Sequence, residues 1–167
     1  MTRLSDATAH TADAHAVAPA RLYRALAMAE VVTWTLLLLG MFLKYAVQVT
    51  DLGVRIGGGV HGFVFLSYVA TTVLVAIDRR WPGRDLALGL GSAIIPFATV
   101  PFERSAERRG LLSSRWRLLD EPGSNPVERL ASFALRHPIA TALVTLVVVA
   151  LVFSGLLAAG PPTEWFD

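Results

Sequence analysis

The chain has 167 residues, 54% of them hydrophobic and 17% charged, with a formal net charge of +2 and a mean hydropathy of +0.54. Soluble domains carry about 25% charged residues, so a chain this short and this apolar reads as a small integral membrane protein. The absence of cysteine excludes disulfides and thiolate metal sites, and the small net charge speaks against a nucleic-acid partner.

Residues 1–19 are rich in Ala, Thr and Asp and lack the apolar stretch of a signal peptide. They are expected to form a disordered tail, with His10 and His15 solvated rather than bound to metal. The first expected span, Arg21 to Leu43, measures about 34 Å as a helix, enough for a bilayer core of about 30 Å. Arg21 and Arg24 flank one end, Lys44 and Tyr45 the other. The second expected span runs from Val54 to Ile77 and stops at Asp78, Arg79, Arg80 and Trp81, before a Pro82–Gly83 turn.

A third span is expected over Asp85–Phe102, interrupted by Gly89, Gly91, Pro96 and Pro101. Pro96 removes a helix hydrogen bond and is expected to kink that helix. Residues 110–137 read as a basic amphipathic linker. In it Leu111, Leu112, Trp116 and Leu119 are spaced to dip into the headgroup layer, with a solvated linker as the alternative. Asn125 and Pro126 have the character of an N-cap and first helical residue. The fourth span, Pro138–Ala159, has no ionisable group and reads as an anchor. Gly160, Pro161 and Pro162 end it, and Trp165 and Phe166 suit an interface.

The expected fold is therefore an all-α integral membrane helical bundle, multi-pass in the plasma membrane. Residues 20–109 form a three-span core, and 138–167 a fourth, C-terminal transmembrane helix with a short tail. With four spans, basic residues divide six against nine, a weak bias for either orientation. If 85–102 is instead a re-entrant hairpin, thirteen lie on one side and only Lys44 and Arg55 on the other.

Polar groups inside the apolar runs are the candidate functional residues, because an ionisable side chain at membrane depth is costly. Glu30, Trp34, Leu37, Met41 and Lys44 share a face of the first span; His61, Phe65, Tyr68 and Thr72 share one of the second. Counting depth along an antiparallel hairpin places Glu30, about 20 Å from Lys44, level with Tyr68, and His61 nearer Lys44. The expected network is Glu30, Lys44, His61 and Tyr68, with a Glu30–Tyr68 hydrogen bond. The pairs Gly53–Gly57 and Gly58–Gly62 allow close helix packing, within the chain or in a homo-oligomer. Paired carboxylates, metalloprotease and nucleophile-elbow motifs are absent from the sequence.

Several of these residues together resemble one family. Glu30, Met41–Lys44–Tyr45, Gly58–His61–Gly62–Phe65–Tyr68, and Pro96–Phe97 followed by Glu103, Arg104 and Arg108 are similar to the YdzA-like domain of unknown function 3817. The resemblance runs from Leu22 to about Arg109. It departs at Leu43, where the family often has a Pro-Leu pair before its Lys, and the fourth span extends beyond the family core. It implies a three-span membrane core and no activity. The expectation is a small non-enzymatic membrane component, without cofactor or metal, that moves a small solute or ion or assists a larger complex. The alternative is a structural or interaction subunit whose polar residues only fix helix packing. Its partners are then the lipid bilayer and a second copy or another membrane protein.

Overall fold

The computed structural model describes residues 17–158; the tail histidines and the aromatic C-terminal residues lie outside that range. The described residues are helical, with no strand among them. Two compact units are present, Met1–Arg117 and Leu118–Asp167.

The first unit is built on a hairpin of two long helices, α1 (Pro19–Tyr45) and α2 (Leu52–Arg79). Both are long and apolar enough to cross a membrane. Pro19 opens α1, where its missing N–H costs no helical bond. The end of α2 is closed by Arg80 in the left-handed conformation. The Arg80 N–H bonds Ile77 O and the Trp81 N–H bonds Ala76 O, satisfying two terminal carbonyls.

Two glycine positions bring α1 and α2 into backbone contact. A Cβ added at Gly40 would lie 2.5 Å from the Gly53 carbonyl carbon, and one at Gly57 would lie 3.2 Å from Leu36 O. The expected second pair behaves differently. A Cβ at Gly58 would meet only the Leu37 side chain at 3.8 Å, and one at Gly62 would meet nothing. Gly53 and Gly57 thus pack the hairpin together with Gly40, while Gly58 and Gly62 do not serve packing within the chain.

The expected third span is not one helix. It divides into α3 (Gly83–Ile94) and α4 (Thr99–Arg108). Pro96 does not kink a continuous helix but sits in the gap between two. Ile95 before it is extended, as the proline ring requires, and Phe97 after it has φ 67°. The two helices double back. Arg109 Nη1 pairs with Asp85 Oδ1 at 2.5 Å, and Trp81 Nε1 donates to Leu111 O at 2.9 Å, so the segment ends beside where it began. Thr99 Oγ1 donates to Ala27 O at 3.0 Å, and Arg24 meets Glu103 one turn nearer the start of α1. Ala27 is about 12 Å along α1 from Pro19, well short of a crossing. Ile94, Ile95 and Phe97 are exposed at the tip.

The expected linker also divides. Residues 110–117 belong to the first unit. Ala20 N–H bonds Ser113 O at 3.0 Å, and Arg117 Nε bonds Asp78 O at 2.7 Å. Trp116 is 5% exposed, with its indole N–H on Val17 O, so it packs against the protein instead of dipping among headgroups.

A single turn, α5 (Arg117–Asp120), begins on the last residue of the first unit, and the second unit continues with α6 (Pro126–Arg136) and α7 (Pro138–Ala158). Asn125 caps α6 as its sequence predicts: Oδ1 accepts the Glu128 N–H at 2.8 Å. Ser132 Oγ donates to Leu118 O at 2.9 Å and ties α6 to the turn. The axis bends by 107° between α6 and the first half of α7. Taken as one bent span, the pair raises the candidate crossings from two to three.

Candidate functional site

The four residues expected to form one polar network occupy three separate places. Contacts between α1 and α2 set the register that separates them: Gly40 against Gly53, Leu36 against Gly57, Thr33 against His61, and Tyr23 against Tyr68. The expected register, counted from Lys44 opposite Val54, is off by about one helical turn. In the observed register Glu30 reaches His61, and Tyr68 reaches the first turns of α1.

The expected Glu30–Tyr68 hydrogen bond is therefore replaced by two others. Tyr68 Oη is 2.8 Å from Tyr23 Oη and 3.0 Å from Ser92 Oγ. Thr72 Oγ1 is 3.1 Å from Tyr23 Oη and 2.8 Å from Tyr68 O, and Ser92 Oγ donates to Gly89 O at 2.7 Å. Tyr23, Tyr68 and Thr72 are fully buried. This cluster joins α1, α2 and α3, and each hydroxyl in it has a partner. The sequence does signal Tyr23: it continues the stripe of Glu30 and Ala27 toward the start of α1, at helical spacing.

Lys44 lies near the hairpin loop, its Nζ 5.2 Å from the Tyr45 ring centroid. It is fourteen residues along α1 from Glu30, about 21 Å, so it belongs to neither cluster.

Glu30 stands apart from the satisfied cluster. It is 0% exposed, and neither carboxylate oxygen has a hydrogen-bond partner. Oε2 is 3.7 Å from His61 Nδ1, close enough for charge to act but too long for a hydrogen bond. The Trp34 indole N–H is likewise buried without an acceptor, and the Trp34 and His61 ring centroids are 4.4 Å apart. Phe65 packs on the other side, 6.2 Å from His61.

Thr33 bridges Glu30 and His61. Its Oγ1 lies 3.2 Å from Glu30 O and 3.2 Å from His61 Nδ1. A hydroxyl has one proton to donate. Given to the Glu30 carbonyl, it leaves the threonine oxygen as acceptor for an Nδ1–H. The proton then sits on the nitrogen facing the Glu30 carboxylate. A movement of less than about 1 Å would turn the 3.7 Å approach into a hydrogen bond. Buried polar atoms without partners are rare, because desolvation is uncompensated. Here Glu30 Oε2 and the Trp34 ring both lie beside one histidine.

A third group of contacts lies at the start of α1. Arg24 pairs with Glu103 at 3.0 Å and with Glu107, and Arg109 pairs with Asp85. These pairs hold α4 on α1 and close the α3–α4 hairpin.

Comparison with known proteins agrees with a membrane role and assigns no chemistry. The model of the family described as "Domain of unknown function (DUF3817)" matches residues 20–108. A Streptomyces coelicolor protein that carries the name "Putative membrane protein SCO5905" is 46% identical over 110 residues, which is 64% of this chain. The match spans only 13% of that relative's length. No solved structure matches the chain. The matched region covers α1 to α4, including Glu30, His61 and the tyrosine cluster, and the chain is a helical membrane protein that belongs to the family of domain of unknown function 3817.

Proposed function

We propose that the chain is a small non-enzymatic membrane component whose working element is the Glu30–His61 pair. The pair takes up and releases a proton while the protein moves a small solute or ion, or assists a larger membrane assembly. The single observation behind this reading is the contrast between the two buried clusters. The tyrosine cluster is satisfied throughout, as a packing device is expected to be. Glu30 and Trp34 are not, and an unsatisfied carboxylate at membrane depth calls for a proton or a ligand. The relative, matched over 13% of its length, carries the same module in a much longer chain, which favours a component's role.

The proposed topology has α1, α2 and α7 crossing the plasma membrane and 83–109 re-entering from one side. Its 21 residues make α7 about 32 Å long. Steeply inclined to it, α6 exposes Val127, Leu130 and Phe133 along one face, as suits a helix lying in the interface. In this arrangement thirteen of the fifteen basic residues share the side of the N-terminus, which is then cytoplasmic.

A second reading has its own observation. Thr33 holds His61, and the tyrosine cluster holds the register, so the polar groups serve packing alone. Reconstitution of the full chain in liposomes distinguishes the two. If Glu30→Gln and His61→Ala both stay helical and monodisperse but abolish the pH-gradient-linked flux of the wild type, the proton-linked reading stands. Unchanged flux in either variant defeats it, and loss of fold in both favours packing. Infrared difference spectra on a pH step supply an independent readout. A carboxyl band that is present in the wild type and missing in Glu30→Gln is expected.

A further inference from the structure

The end of the first unit opposite the α1–α2 loop is stitched by five contacts among three chain segments, 17–20, 78–85 and 109–117. Ala20 bonds Ser113, Trp116 bonds Val17, Trp81 bonds Leu111, Arg109 pairs with Asp85, and Arg117 bonds Asp78 O. These contacts gather ten of the twelve basic residues of 17–117 at one end, Lys44 and Arg55 being the exceptions. Only four carboxylates lie there: Asp78, Asp85, Glu103 and Glu107.

Those carboxylates are already engaged. Glu103 and Glu107 share Arg24, Asp85 holds Arg109, and Asp78 is buried. Positive charge is left over on the outside. Arg21, Arg79, Arg84, Arg104, Arg108 and Arg115 are all exposed. Arg104 and Arg108 stand four residues apart on α4, so they share its outer face, while Thr99, Glu103 and Ala106 form its buried face. The tip between α3 and α4 carries exposed Ile94, Ile95 and Phe97. The re-entrant segment therefore has an apolar tip and a basic rim, the polarity order of a phospholipid from its chains to its headgroup.

We propose that this rim is a binding surface for anionic phospholipid headgroups, with Arg104 and Arg108 at its centre, and that the lipid seats the re-entrant segment in one leaflet. Arginine matches phosphate oxygens in a bidentate fork, and in the proposed topology, on which this inference rests, phosphodiester headgroups lie at the depth of this rim. Among residues 17–117 the acids at this end are paired elsewhere or buried, so they do not compete for these guanidiniums. Each basic residue near an anionic surface is worth roughly a five-fold preference, so two should give more than about ten-fold.

The test uses the full chain in neutral detergent, titrated with phosphatidylglycerol or phosphatidylcholine and read by native mass spectrometry and by melting temperature. Phosphatidylglycerol is expected to be retained and to raise the melting temperature, and phosphatidylcholine to do neither. The double variant Arg104→Gln/Arg108→Gln should keep its helicity and lose phosphatidylglycerol retention by about ten-fold or more. Arg55→Gln, exposed at the opposite end, should retain the lipid as the wild type does. Equal retention of the two lipids, undiminished retention in the double variant, or an equal loss in Arg55→Gln would overturn the proposal. Inorganic phosphate that displaces the lipid at millimolar concentration would overturn it too, since the site would then read a free anion.

Discussion

Tyr68 and Glu30 are both buried polar residues of the hairpin, yet their removal should have opposite effects. Tyr68→Phe deletes one hydroxyl and leaves Tyr23 and Ser92 each short of a partner. Hydrogen bonds between membrane helices are worth about 0.6 kcal/mol on average, and two are lost here, while Tyr23 keeps Thr72 and Ser92 keeps Gly89 O. Unfolding in mixed micelles should show Tyr68→Phe less stable by about 1–2 kcal/mol. Glu30→Gln breaks no hydrogen bond, because Glu30 makes none with its side chain. It also removes a charge that burial penalises, so its stability should equal or exceed that of the wild type. A Glu30→Gln protein that unfolds as readily as Tyr68→Phe would mean that the carboxylate is structural. The sequence marks Glu30 and His61 plainly, as ionisable side chains inside apolar runs. Which residue each one meets was not legible, because that depends on a register that apolar periodicity leaves free over a turn.

At the scale of the helix that register is set by Gly40. An isolated glycine in α1 and Gly53 near the start of α2 allow their backbones to touch, which slides α2 along α1 until His61 reaches Glu30. The sequence shows four glycines at two helix-packing spacings in α2, and only their surroundings tell which pair is used. Gly40→Ala puts a methyl group on backbone atoms that cannot turn aside, and overpacking of this kind costs typically 1–3 kcal/mol. Gly62→Ala meets open space and gains helix propensity of up to about 1 kcal/mol. Thermal unfolding of the two variants in the same detergent should therefore bracket the wild type, Gly40→Ala below it and Gly62→Ala at or above it. The cap of α6 was legible for a related reason. Asn125 and Pro126 act within one turn, where spacing in the chain is spacing in the fold.

The course of residues 85–102 depends on the whole molecule, and there local signals are weakest. Their composition, apolar with two glycines and two prolines, serves a kinked span as well as a hairpin. What favours the proposed hairpin is a contact across 24 residues, Asp85 with Arg109, and the short reach of α4 along α1. A hairpin reaching about 12 Å leaves the chain on the side it came from, whereas a kinked span would carry residues 110–117 across the membrane. The absence of native cysteine makes this directly measurable with single cysteines at exposed positions. In intact cells a membrane-impermeant maleimide should label Val49→Cys in the α1–α2 loop and leave Ser114→Cys untouched until the membrane is opened. Labelling of both in intact cells would place them on one side, and residues 85–102 would then be a true crossing. The tie between Ala20 and Ser113 would have to break, and the basic rim would be scattered over two leaflets. Opposite labelling keeps the rim on one face and places the Glu30–His61 pair beyond the re-entrant tip.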